Sequence, residues 1–284
     1  AGVESMSRVP MGLPISLPYK NGNGFYVSPG IAEEYPGIKF SQFTGAEMMA
    51  DKYDLTREEL DAFGYQSHQR AIAATQGGVF DNEIVPIEVE NEDGTKELHK
   101  NDEGIRYDVS MEGMGNVKIL AENGRLTAAT SSQICDGASG VLIVNERGLK
   151  ELGVKPLARI VSMTVVGGDP VIMLEAPIPG TKKALDRANM SIDDIDLYEV
   201  NEAFASVPVA WLKEMGADPE KLNVGLSIFV MVKTNQHNPN WLADFAKVAV
   251  DLPEIVEFYR MSGDVDYLLE VVVPDMKAYD AFYK

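Results

Sequence analysis

The chain has 284 residues, of which 45% are hydrophobic and 24% charged, enough apolar material for a packed core and too much for a disordered polymer. Its formal net charge is −19, with 20 basic and 35 acidic side chains over residues 1–224 and 5 and 9 over residues 225–284. Neither part offers the positive field that binding to a phosphate backbone requires, and no apolar run approaches the roughly 18 residues of a membrane span.

Residues 1–55 are rich in Gly, Pro and Met, and Pro10, Pro14, Pro18, Pro29 and Pro36 predict a loop-dominated segment. The opening Ala-Gly-Val-Glu has no basic or apolar signal-peptide region and no initiator methionine, as expected of a processed chain or a fragment. A helix is predicted over Thr56–Thr75: Thr56 and Glu59 form a capping box, and Leu60, Phe63, Ser67, Ala71 and Ala74 repeat at helical spacing. Ile84–Glu90 alternates as a strand, Asn91–Gly104 reads as a solvated turn or hairpin tip, and the VLIV run within Ser139–Asn145 reads as buried core. Arg159–Val166 is expected to be a strand closed by the turn Gly167-Gly168-Asp169-Pro170; no phosphate-loop pattern surrounds those glycines. A helix over Thr181–Asn189, a short strand over Asp196–Val200 and a helix over Glu202–Gly216 follow, and this alternation predicts an α/β domain with a largely parallel sheet.

After Val224 the pattern changes. Ile228–Thr234 is a predicted strand, and Asn238-Pro239 opens a helix burying Trp241, Leu242, Phe245, Val248 and Ala249. Val256–Met261 and Tyr267–Val273 are strands joined by a turn at Ser262–Asp264, and a last helix starts at Pro274-Asp275. The order β-α-β-β-α is one strand short of a ferredoxin-like unit, which would leave a neighbouring strand edge unpaired.

Several pieces, taken in order, carry a resemblance: AGVESMS at Ala1–Ser7, the helix and DNEIVP strand within Asp54–Pro86, LTAATSSQICDG at Leu126–Gly137, PLARIVSMTVVGGD at Pro156–Asp169 with Ala176–Ile178, and EVNEAFA at Glu199–Ala205. Residues 1–224 resemble the thiolase family (acetyl-CoA acetyltransferase and 3-ketoacyl-CoA thiolase), which makes and breaks carbon–carbon bonds in acyl-CoA thioesters of lipid metabolism. The resemblance implies an incomplete α/β thiolase-like fold: a loop domain and the end of the N-terminal half over residues 1–153, and the start of the C-terminal βαβ half over residues 154–224. It further implies a coenzyme A thioester as substrate with no permanently bound cofactor; a homo-oligomer without a metal is expected, and the single cysteine reads as a cytoplasmic setting.

By the same resemblance Asn201 would anchor the water of an oxyanion hole, Ser132 would contact the pantetheine of coenzyme A, and Ala203 and Phe204 would line its channel. The family's nucleophilic cysteine lies upstream of the AGGxESMS-like motif, its histidine in a GHP motif and its second cysteine in CxGGG, none of which matches this sequence. An inactive chain is therefore expected, since removing groups that act as a unit abolishes nearly all of the chemical rate. The single cysteine, Cys135, excludes an internal disulfide and a cysteine-built zinc site, and it is expected to be a buried structural thiol. His68, His99 and His237 are expected to be solvated. Ser41-Gln42 before Ala46-Glu47-Met48 departs from the family's acyl-CoA loop, so no acyl specificity carries over.

Residues 225–284 resemble the effector-binding domain of the Lrp/AsnC regulators, through FVMVKT at Phe229–Thr234, Trp241-Leu242, Pro253–Val256, YRMSGD at Tyr259–Asp264 and DYLLEVVVP at Asp266–Pro274. This implies an α+β ferredoxin-like tail that binds a small effector such as an amino acid near Gly263 and Asp264, where the alternative reading is a plain hairpin turn. The DNA-binding domain of those regulators has no counterpart here. Joining two unrelated families near Val224 reads as a chimera, whether engineered, a gene fusion or a misassembled reading frame.

Overall fold

The computed structural model describes residues 1–223, 226–232, 245, 247–249, 252, 255–260 and 266–273. Its first 55 residues are not loop-dominated. They form a strand β1 (Gly2–Ser5) and helices α1 (Leu13–Lys20), α2 (Pro29–Glu34) and α3 (Gln42–Lys52). Two of the prolines read as breakers sit at helix starts, Pro14 and Pro29 in first-turn positions where a missing N–H costs nothing, while Pro18 lies inside α1 and Pro10 and Pro36 lie outside the helices. Gly45, Ala46, Met49 and Ala50 on α3 are buried, so this helix belongs to the core.

Helix α4 (Arg57–Gln76) follows with the predicted reciprocal cap, Glu59 N–H donating to Thr56 Oγ1 at 3.1 Å and Thr56 N–H to the Glu59 carboxylate at 2.7 Å. Leu60 and Ala74 are buried as expected, alongside Asp61, Gly64 and Arg70. Asp61 accepts from Arg57 Nε at 2.6 Å, and Arg57 Nη2 donates to the carbonyls of Met114 and Val117, tying α4 to α5 (Met111–Gly115).

The strand expected from residue 84 is confined to β2 (Ile87–Glu90), which pairs with β3 (Lys96–His99) in an exposed hairpin, so the stretch read as a turn or hairpin tip supplies both the tip and the returning strand. The 136–139 segment forms β4 (Asp136–Ser139), antiparallel to β1. The VLIV run is not core: Val141, Leu142 and Ile143 are 81, 75 and 70% exposed. Cys135, just before β4, is exposed as well, contrary to the buried thiol expected. The reason is shared, because among the described residues β4 pairs with β1 alone and both strands are open to solvent.

After α6 (Glu146–Leu152), the segment 157–166 forms neither helix nor ladder among the described residues, and its exposure alternates from Val161 to Val166. It lies against α7 (Pro177–Ala188), which begins four residues earlier than predicted and ends at Asn189 in the left-handed region. The strand expected over 196–200 is reduced to a parallel bridge between Tyr198 and Leu222. The expected parallel sheet is thus not formed among the described residues, whose four ladders, in three sheets, are all antiparallel. Helix α8 (Ser206–Met215) ends where predicted, with Gly216 at φ +61° supplying the left-handed cap that glycine adopts without strain.

Helices α3, α4 and α8 enclose the core with Leu55, Leu126, Ile172, Ile178, Tyr198 and Leu222. Each fully buried aliphatic side chain of this set stabilises the fold by about 1.5–3 kcal/mol relative to exposure.

In the tail, β5 (Leu226–Val232), β6 (Ile255–Arg260) and β7 (Tyr267–Val273) form an antiparallel sheet in the order β5-β7-β6, which agrees with the three predicted strands. Phe245 and residues 247–249 are helical; Ala249 is buried, whereas Val248, expected inside, is 58% exposed. The Phe245 ring meets Tyr267 at 5.3 Å. Gly263, Asp264, Trp241, Leu242, His237 and the helix expected after Pro274 lie outside the described residues.

Candidate functional site

The sequence around Asn201 is placed by two sets of main-chain contacts. On one side Ser132 N–H donates to the Ala203 carbonyl at 3.0 Å and Ala205 N–H to the Thr130 carbonyl at 2.9 Å, with Ser131 opposite Phe204. Three of the predicted site residues, Ser132, Ala203 and Phe204, are thereby brought together across 71 residues of sequence. Asn201 stands two residues before Ala203, with an exposed side chain.

The 130–132 arm of this bridge is anchored by its own side chains and by α3 and α4. Thr127 and Thr130 are buried and cap one another, with Thr127 N–H donating to Thr130 Oγ1 at 2.9 Å and Ser131 Oγ donating to the Thr127 carbonyl at 2.7 Å. The Glu47 carboxylate on α3 accepts from the N–H groups of Arg125 and Leu126 at 2.9–3.0 Å. Gly64 lets α4 approach the turn closely, since a Cβ there would lie 3.0 Å from the Ala129 carbonyl oxygen and 2.8 Å from Met114 Cε. Phe204 is buried, edge-on to Phe43 with ring centroids 5.4 Å apart.

The 200–202 arm hangs on Asn223, which sequence reasoning passed over. Its Oδ1 accepts from Val200 N–H at 2.9 Å, and its Nδ2 donates to the Val200 carbonyl at 3.0 Å and to Glu202 Oε1 at 2.7 Å. The second Glu202 oxygen accepts from Ser67 Oγ at 2.7 Å, and Arg70 Nη1 donates to the Leu222 carbonyl. Ser67, Arg70, Glu202 and Asn223 thus form a polar frame beneath the exposed Asn201. The available signal was a polar face on α4 recurring at Ser67 and Arg70, three residues apart, which the capped helix carries inward.

Electrostatics follow from this packing. Burial, and then the neighbouring Glu202 charge, push the Glu199 carboxyl above its usual range. Glu199, Tyr198 and Val200 also line a cleft of about 300 Å³ with Ser162, Thr181 and Trp211. His68 is not solvated as expected: it is half-buried, and its Nδ1 accepts from Arg106 N–H at 3.3 Å. Burial and the Arg106 charge hold its pKa below the ordinary histidine value, against the opposing pull of Glu202 and Asp102. The unfolded chain therefore takes up this proton near pH 6.5 and the folded chain only at lower pH, so stability should fall as pH drops through 6.5 and level off below the folded pKa. Urea titrations between pH 5 and 8 should show that slope flattened in His68→Gln.

His99 lies on the exposed hairpin strand β3. No helix among the described residues is long and apolar enough to cross a membrane.

Comparison with known families and structures places these observations. A family model described as "Thiolase, N-terminal domain" matches residues 1–147, "Thiolase, C-terminal domain" matches residues 154–228, and "Lrp/AsnC ligand binding domain" matches residues 227–284. The steroid 3-ketoacyl-CoA thiolase FadA6 of Mycobacterium tuberculosis is 44% identical over 227 residues, covering 78% of this chain and 54% of the relative. The 3-ketoacyl-CoA thiolase of Marinobacter nauticus is 44% identical over 230 residues, covering 78% and 56% respectively. The crystal structure of human mitochondrial 3-ketoacyl-CoA thiolase superposes with a TM-score of 0.59 at 37% identity, over 64% of this chain and 46% of that one. The chain spans about half the length of the curated relatives it matches. With its mixture of helices and strands it has an incomplete α/β thiolase fold followed by an Lrp/AsnC ligand-binding module, and the chain belongs to the thiolase family.

Proposed function

We propose that residues 1–224 are the coenzyme A-facing scaffold of a 3-ketoacyl-CoA thiolase, and that this chain alone does not turn over substrate. The observation that carries the reading is the antiparallel bridge, with its two main-chain hydrogen bonds, that joins residues 130–132 to 203–205. It places the exposed Ser132 opposite the half-buried Ala203, over a Phe204 ring buried against Phe43, and a small polar and a small apolar side chain at such an opening suit an amphipathic pantetheine arm. Asn201, exposed at the end of the same segment, is the water anchor of the proposed oxyanion hole; preorganised donors of this kind stabilise developing negative charge.

Inactivity is inferred from chemistry. Thiolysis in this family employs one cysteine as acyl acceptor and a second to move the α-proton, and this chain has one cysteine in all. Calorimetry should detect coenzyme A binding by the full chain, weakened roughly tenfold or more in Ser132→Trp, a loss of about 1.4 kcal/mol or more. Acetoacetyl-CoA thiolysis should be absent. Steady turnover that disappears in Cys135→Ser would defeat the inactivity, and unchanged coenzyme A affinity in Ser132→Trp would defeat the site.

A second reading is favoured by the tail, where the match to an Lrp/AsnC ligand-binding domain coincides with the antiparallel β5-β7-β6 sheet. We propose that this module binds an amino-acid effector near Gly263 and Asp264. Calorimetry with a panel of amino acids tests it, and no binding at millimolar concentration would dismiss it.

A further inference from the structure

The cleft of about 300 Å³ between α7, the 161–162 stretch and the 190–200 segment contains none of the residues assigned to coenzyme A. Its volume lies at the lower end of those that hold small ligands, roughly 300–1,000 Å³. Leu185, Ile192 and Ile195 give it apolar walls, and the tilted rings of Trp211 and Tyr198 add an aromatic one. Most of its polar groups are already paired. Trp211 Nε1 donates to Thr181 Oγ1, Thr181 Oγ1 donates to the Pro177 carbonyl at 2.8 Å, and Tyr198 Oη donates to the Ile192 carbonyl at 3.2 Å.

Two groups are left over. Ser162 Oγ is shielded from solvent without a hydrogen-bond partner among the described residues, a state that native folds seldom leave uncompensated. Glu199, which lines the cleft from an exposed position, makes no hydrogen bond or ion pair among the described residues. The charge that acts on its carboxylate is that of Glu202, of the same sign. The cations of α7 are engaged elsewhere: Lys182 Nζ donates to Glu214 Oε1 at 2.7 Å, Lys183 Nζ to the Val165 carbonyl at 2.9 Å and Arg187 Nη1 to the Met163 carbonyl at 2.8 Å.

We propose that this cleft binds a small arylalkyl amine, its ring against Trp211 and Leu185 and its ammonium group donating to the Glu199 carboxylate and Ser162 Oγ. An ammonium carries three donors and no acceptor, which matches two acceptors left without a donor. An alcohol of the same shape would satisfy Ser162 and leave Glu199 unbalanced, and a carboxylate would meet Glu199 with like charge. The net charge of −19 also draws cations toward the surface in preference to anions. The inference does not rest on the coenzyme A reading.

The test is calorimetry of the full chain at neutral pH with phenethylamine, phenylethyl alcohol and phenylpropionate. Phenethylamine should bind one-to-one, and the alcohol and the acid roughly tenfold or more weaker, as expected when a hydrogen bond to a charged group is lost. Glu199→Gln, at an exposed position, should bring the amine down to the affinity of the alcohol. Ala184→Trp should fill the cleft and abolish binding of all three, with the urea midpoint checking that this variant is folded. Absence of saturable phenethylamine binding, equal affinity for amine and alcohol, or amine binding unchanged in Glu199→Gln would each overturn the proposal. Coenzyme A titrations do not enter these outcomes, so the two readings fail separately.

Discussion

Replacing Asn223 with alanine should destabilise the chain by about 2–4 kcal/mol, seen as a lower urea midpoint. The amide of Asn223 occupies both the N–H and the carbonyl of Val200, a residue only 6% exposed, and the substitution leaves both groups without their partner inside the core edge. It also removes one of the donors to Glu202, whose unbalanced charge then faces Glu199. The backbone at Asn223 has φ +48°, a left-handed conformation that asparagine tolerates better than alanine. Asn223→Gly separates the two contributions: it should recover only the backbone share, about 1–2 kcal/mol, leaving the hydrogen-bond loss in place. If Asn223→Gly restored full stability, the polar frame beneath Asn201 would count for nothing, and coenzyme A affinity should then be untouched as well.

The largest single loss is expected from Trp211→Ala, at about 3–5 kcal/mol. Trp211 is 3% exposed, packs against Tyr198 with ring centroids 5.2 Å apart, and donates from Nε1 to Thr181 Oγ1 at 2.9 Å. One side chain therefore joins α8, α7 and the 198–200 segment that leads into the site. Its removal would enlarge the existing cleft of about 300 Å³ instead of allowing the core to close, because Tyr198 and Thr181 are already held on either side of that space. Trp211→Phe retains most of the packing and gives up the hydrogen bond, so its cost should be nearer 0.5–1.5 kcal/mol plus the smaller volume lost. Equal midpoints for the two variants would show that packing contributes little here.

Local sequence fixed the elements whose signals are local. The capping box at Thr56 and Glu59 set the start of α4, Gly216 set the end of α8, and the alternation in residues 226–273 set three strands, because each depends on groups a few residues apart. The motifs likewise identified the family, and they marked Ser132, Ala203 and Phe204 before any contact between them was visible. Burial and pairing were decided only in three dimensions. Apolar runs at 141–144 and 157–165 look identical in sequence whether or not another strand covers them, and here solvent does. A proline can break or begin a helix, and position within the turn made Pro14 and Pro29 helix starts. The frame of Ser67, Glu202 and Asn223 joins residues up to 156 positions apart, so no spacing rule along the chain could announce it; only the packing of α4 against the returning 198–223 segment brought those hydrogen-bonding groups within reach.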